Sequence, residues 1–292
     1  DIQFQSMSML YKRFRPDAVF IMMDLSVEAE ALGLPILKPE NASYSVKEHP
    51  VTSREALKGL SLPCPGNDGR MSLMAKVMQK MKREFDCPKI GYVAGPFTLA
   101  GLLSGAIRVM ESVLIDPDFL SEVLKFSSRV IDYYAHCLIE AGADMLCILE
   151  PTATTLSPQQ FRDFSGEYVK KLRSNWDLPT ILHICGNTTV LIPEMVKTGC
   201  HGLSLDSMVD LGAIKGLVPE EIMIIGNINP VETLAYGTRA EVGMAVEKTL
   251  RAMEGRKNFV LSSGCDLPHD TNLKNIDEMF KVADRLSIHS KL

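Results

Sequence analysis

The sequence predicts an α/β fold, a parallel sheet with helices outside it, built as a TIM-type (β/α)8 barrel that lacks its first strand in this chain. Three observations lead there. Short apolar runs alternate with longer amphipathic stretches from end to end, as strands joined by helical crossovers do. Reactive and polar side chains gather where the apolar runs end, at Asp24, Glu150, His183, Cys185, Asp206, Asn227 and Cys265, the end at which a barrel of this kind keeps its active site. No glycine-rich dinucleotide fingerprint follows any run, which counts against the alternative, a doubly wound open sheet.

The elements follow in order. A helical pattern from Gln5 to Phe14 opens the chain with no strand before it. Strands are expected near Asp17–Asp24, Lys89–Ala94, Met145–Glu150, Thr180–Cys185, Gly202–Asp206, Ile222–Gly226 and Phe259–Ser263. That makes seven where a closed barrel needs eight, so the first strand and its loop are expected to be missing. Helices are expected near Asp68–Glu84, Asp118–Ala141, Ser157–Ser174, Thr188–Thr198, Ala240–Met253 and Asn275–Ser287. Ser157-Pro158-Gln159-Gln160 is a strong helix start, with serine as N-cap and proline in the first turn. Gly199 and Gly255 suit helix C-termini. Met71, Met74, Met78 and Met81 recur at helical spacing and read as a core stripe rather than a cofactor site. The stretch from Gly33 to Gly69 is rich in turn residues, including Pro35, Pro39, Pro50, Pro63 and Pro65. It reads equally as a lid or binding loop and as an ordinary surface excursion. With no repeat, low-complexity tract or linker, residues 1–292 are expected to form a single domain.

Composition removes several function classes. A net charge of −5 leaves no basic footprint for nucleic acid. No run of about 18 apolar residues suggests a membrane span, and the start, Asp1-Ile2-Gln3-Phe4-Gln5-Ser6-Met7, has no signal-peptide pattern. Seven scattered cysteines argue against a disulfide framework. A reducing cytoplasm is the expected compartment, with the oligomeric state left open.

The chemistry concentrates in His183-Ile184-Cys185. Residues two apart on a strand share a face, and the preceding run Pro179-Thr180-Ile181-Leu182 is apolar and β-branched. Cys265 closes a second such run, Asn258 to Ser263. One imidazole and two thiols suit zinc with its fourth position open, although buried cysteines are often only packing. Cys200, His201 and His269 are set aside as packing or loop residues, and Cys64, Cys87, Cys137 and Cys147 read as non-catalytic.

Longer motifs resemble the uroporphyrinogen decarboxylase superfamily over nearly the whole chain. Gly95-Pro96-Phe97-Thr98-Leu99-Ala100 resembles one of its loops. Ile225-Gly226-Asn227-Ile228-Asn229-Pro230 resembles a later turn, with Asn229 in place of the usual aspartate. Asp24 stands where that family places a substrate-facing aspartate. The decarboxylases carry a glycine-histidine-glycine element where this chain has Gly264-Cys265-Asp266, and an arginine-bearing N-terminal segment that is absent here. The run Asp24 to Gly33, His183-Ile184-Cys185-Gly186 and Ser263-Gly264-Cys265-Asp266 are instead similar to the corrinoid-dependent methyltransferase branch.

The resemblance implies zinc held by His183, Cys185 and Cys265. It implies a methylated corrinoid as donor, brought by a corrinoid carrier protein, and a small thiol such as coenzyme M as acceptor. Glu150 joins the three ligands as a catalytic candidate, either as an exchangeable fourth ligand or as a partner of His183. Asp206 is open to the same two roles, with structural hydrogen bonding as its other reading. Asp24, Phe97, Asn187, Asp206 and Asn227 are the substrate-binding candidates; the two asparagines read equally as ties between loops. Two competing functions remain, a metal-free decarboxylase and a non-catalytic corrinoid- or metal-binding module.

Overall fold

Seven apolar runs pair into one sheet in the computed structural model, which describes residues 2–289 apart from Asn41 and Pro65. Asp1 and residues 290–292 of the expected domain lie outside the described residues, as does Pro65 of the Gly33–Gly69 segment. The strands are β1 (Val19–Phe20), β2 (Lys89–Ala94), β3 (Met145–Leu149), β4 (Thr180–Ile184), β5 (Gly202–Leu205), β6 (Met223–Ile228) and β7 (Phe259–Ser263). They lie side by side in sequence order and every pairing is parallel. This order has no reversal, so the doubly wound alternative is excluded. The sheet curls as a partial barrel.

Period-two alternation sorts the strand side chains into two layers. Ile90, Cys147, Leu149, Ile181 and Ile225 cluster inside the curl, joined by Phe20 and Tyr92. Val93, Leu146, Ile148, Leu182, Ile184, Leu203 and Ile224 face outward into the large core shared with the helices. The longest helix, Pro117–Ala141, starts with Asp116 accepting from the Phe119 N–H at 3.1 Å. The methionine stripe packs into the same core, with Met71, Met74, Met78 and Met81 all buried. Ser157 and Gln160 form the reciprocal cap that their sequence predicts, and Gly199 and Gly255 both take positive φ.

Three expectations need correction. The first strand shrinks from the expected Asp17–Asp24 to Val19–Phe20, because its ladder runs along β2 alone. The run from Gly95 to Ala100, expected as a loop, opens a helix, Pro96–Ser104, which bends through 108° at Gly105 into a second, Ala106–Ile115. The Gly33–Gly69 segment carries structure of its own. It contains a hairpin pairing Ile36–Leu37 with Ser45–Val46 and a helix, Arg54–Lys58, capped by Ser53. Among the described residues no single helix is long and apolar enough to cross a membrane.

Candidate metal centre

The interior face of β4 carries Ile181 and His183, and the next residue on that face is Cys185, just beyond the strand. Gly186 follows with φ of 85°, a left-handed conformation that glycine adopts without a Cβ penalty, and it turns the chain away at the rim. Three strands further round, β7 ends at Ser263 and Cys265 follows. Gly264 is required there, because a Cβ would collide with the Ser207 backbone. The sheet curl brings these two strand ends together.

His183 Nε2 lies 3.1 Å from Cys185 Sγ and 3.8 Å from Cys265 Sγ, and the two sulfurs are 3.3 Å apart. All three ligand atoms lie within 4.8 Å of one another. Tetrahedral zinc with bonds of ~2.0–2.3 Å separates its ligand atoms by about 3.5–3.8 Å, so opening the group by a few tenths of an ångström admits the ion. The donor set, one imidazole and two thiols, also matches its preferences. His183 is 3% exposed. Cys265 is held well below the ordinary thiol range, because the Cys185 thiol and His183 both hydrogen-bond to its sulfur. Cys185 supplies that bond and is pushed up by it and by burial. The pair therefore gives up one proton readily and the second only with difficulty.

The other nitrogen of His183 reveals a residue that the sequence reading missed. Nδ1 contacts Ser204 Oγ at 3.0 Å and the Ser204 carbonyl at 3.2 Å. With Nδ1 protonated and donating to the nearer Ser204 hydroxyl oxygen, Nε2 keeps its lone pair for a metal. Ser204 is in register with His183 across β4 and β5, and it lies two residues before Asp206, so alternation alone places it on the same interior face.

Neither carboxylate proposed as a partner of His183 bonds to its ring. Glu150 is fully buried and accepts from Phe97 N (2.9 Å), Thr98 N (2.8 Å) and Ser165 Oγ (2.9 Å). It therefore caps the helix Pro96–Ser104. Burial pushes its pKa up, and the hydrogen bonds from Thr98, Phe97 and Ser165 partly oppose this. Asp206 accepts from Gly186 N and Met208 N, both at 2.9 Å. It thus ties the turn after Cys185 to the turn after β5.

The remaining candidates spread around the rim. Asn227 Nδ2 donates to the carbonyls of Asp206 (2.8 Å) and Val209 (2.7 Å), bracing the same turn. Asn187 is exposed and accepts from Thr189 N and Oγ1 within its own loop. Phe97 is fully buried in the outer core, so its ring forms no part of the rim. Asp24 is engaged on both oxygens, by Ser26 N and Oγ on one and by Arg70 on the other. Arg70 also pairs with Glu30, donates to Ser26 Oγ at 2.8 Å and lies 4.9 Å from the Tyr44 ring centroid. Arg70 too was missed, since its acidic partners Glu30 and Asp24 lie 40 and 46 residues away in sequence.

The family model for uroporphyrinogen decarboxylase (URO-D) matches residues 3–286. The chain belongs to the uroporphyrinogen decarboxylase family. Within that family it is 32% identical over 278 residues to the methylcobamide:CoM methyltransferase MtbA of Methanosarcina acetivorans, an alignment covering 91% of this chain and 79% of that protein. It is 26% identical over 300 residues to the uroporphyrinogen decarboxylase of Prochlorococcus marinus, covering 98% and 85%. A solved methyltransferase from Methanosarcina mazei superposes with a TM-score of 0.90 at 26% identity, covering 98% of this chain and 85% of that one. The family thus spans two chemistries, and the side chains at the rim have to decide between them.

Proposed function

We propose that this chain is a zinc-dependent methyltransferase that moves a methyl group from a methylated corrinoid, presented by a carrier protein, to a small thiol such as coenzyme M. The convergence of His183, Cys185 and Cys265 carries the reading. Likeness to methylcobamide:CoM methyltransferases supports it. So does Asp24, whose charge is already balanced by Arg70 and which is not free to meet a porphyrinogen.

Zinc at the three ligands would supply a Lewis acid that keeps a bound acceptor sulfur in its thiolate form. The chain's own contribution is geometric. Ser204 orients His183, and Asp206 and Asn227 hold the two rim turns that carry and face Cys185. The acceptor thiolate attacks the methyl carbon as a sulfur–carbon bond forms and the cobalt–carbon bond breaks. The bonding electron pair stays on cobalt, taking it from cobalt(III) to cobalt(I), and the thiol proton leaves to solvent. Positioning the two reactants supplies much of the rate enhancement.

The same reading treats residues 1–292 as one barrel domain of the reducing cytoplasm. An eighth strand from outside the described residues would fill the gap between β7 and β1, whose facing edges pair with no other strand among the described residues. Methyl transfer from methylcobalamin to a panel of small thiols, without oxygen, tests the activity. Cobalt(I) formation supports it, and inertness of zinc-loaded protein towards every thiol opposes it.

A further inference from the structure

The two sulfurs of the metal centre stand closer together than a metal needs. Cys185 Sγ and Cys265 Sγ are 3.3 Å apart, against about 3.7 Å across tetrahedral zinc and ~2.0 Å in a disulfide bond. All seven cysteines are free thiols, and among the described residues this is the one pair joined sulfur to sulfur by a hydrogen bond.

Both residues are placed to close the remaining gap. Each lies beyond the end of its strand, β4 ending at Ile184 and β7 at Ser263. The turns that carry them are pinned by backbone bonds, from the Gly186 N–H to Asp206 at 2.9 Å and from the Gly264 N–H to the Ile228 carbonyl at 2.8 Å. With the backbone held, rotation about the two Cα–Cβ bonds shares an approach of ~1.3 Å between two side chains. Both cysteines are half-buried at the rim, within reach of a small oxidant, whereas Cys147 and Cys200 are only 1% and 2% exposed.

We propose that Cys185 and Cys265 form a reversible redox switch, in which hydrogen peroxide joins them in a disulfide and the metal leaves. The inference rests on the zinc-dependent reading of this site and adds regulation to it. One thiolate attacks a peroxide oxygen, forming a sulfur–oxygen bond as the oxygen–oxygen bond breaks and hydroxide departs. The second thiolate attacks the resulting sulfenic acid, forming the sulfur–sulfur bond as the sulfur–oxygen bond breaks and a second hydroxide departs. Each hydroxide takes a proton from solvent. Two thiolates, one peroxide and two protons thus give one disulfide and two waters, with two electrons passing from sulfur to oxygen. His183 is then the one ligand left of the three, and the metal departs as the divalent ion. A resolving sulfur this close captures the sulfenic acid before irreversible oxidation. Transient disulfides of this kind are compatible with a reducing compartment. Cobalt(I), the product of the proposed methyl transfer, is itself consumed by oxidants, so the switch halts turnover when that product would be lost.

The test exposes the full zinc-loaded chain to hydrogen peroxide, follows zinc with a colorimetric chelator and maps the cysteines by peptide mass spectrometry. The expected result is zinc release in equal amount to a peptide pair cross-linked between Cys185 and Cys265, with dithiothreitol and fresh zinc restoring full occupancy. Cys64→Ser, which removes the exposed thiol away from the site, should leave the release unchanged. Zinc retained while Cys64 is oxidised overturns the inference. Release with sulfinic acid at either ligand and no cross-link, or with either ligand linked to a different cysteine, overturns it as well. Methyl transfer by untreated protein is measured separately, and its absence overturns the methyltransferase reading while leaving the switch standing. A chain that holds no zinc before peroxide is added overturns both.

Discussion

Glu28 links the stability of the fold to pH. It lies on the short helix after β1, is 1% exposed, and accepts from Ala94 N at 2.7 Å through one oxygen, while the other has no partner. Burial raises its pKa from 4.5 to about 7; the Ala94 hydrogen bond lowers it, nearby Asp24 raises it, and Arg70 lowers it. A carboxyl raised in the native state favours folding below its ordinary value, and that contribution is lost as the pH climbs through about 7. At ~1.4 kcal/mol per pH unit, the ionised form costs about 3 kcal/mol of stability at pH 8. Glu28→Gln keeps the acceptor for Ala94 and cannot ionise. Urea unfolding of both proteins should find the variant ahead by less than about 1 kcal/mol at pH 5 and by about 3 kcal/mol at pH 8. Taking the difference between proteins cancels the other titrating groups. A gap that is the same at both pH values would refute the reasoning.

Three further expectations concern the site and its supports. Cys265→Ala should lose most of its zinc on metal analysis, and Ser204→Ala should keep zinc but bind it roughly 10–100-fold more weakly in chelator competition. Full occupancy in the first, or unchanged affinity in the second, contradicts the corresponding assignment. Glu150→Gln replaces one acceptor with a donor at the buried start of Pro96–Ser104, so it should cost ~1–3 kcal/mol in unfolding with zinc content unaltered. Zinc loss at unchanged stability would instead restore Glu150 as a ligand.

The strands and the three metal-ligand candidates were legible because their signals are local. Period-two alternation places His183 and Cys185 on one face, and β2 and β7 begin and end where the apolar runs do. Pro96–Ser104 was hidden because its cap is not local. Gly95 has no side chain with which to cap the helix, and the acceptor comes from Glu150, more than 50 residues away. The surroundings of Asp24 and Glu150 were hidden for the same reason. An acidic residue at a strand end reads as a ligand or substrate contact until the distant N–H groups and guanidinium that occupy it are known. Ser204 was within reach of the same alternation argument, one step back from Asp206.

The central claim is thiol methylation at the His183–Cys185–Cys265 centre, and anaerobic methyl transfer from methylcobalamin tests it most directly. Zinc-loaded protein with a suitable small thiol should convert the methyl-cobalt spectrum to that of cobalt(I) and release the methyl thioether in equal amount. Cys185→Ala, altered at the rim and outside the packed core, should remain folded and inactive. Undiminished turnover by folded, zinc-free Cys185→Ala would contradict the account.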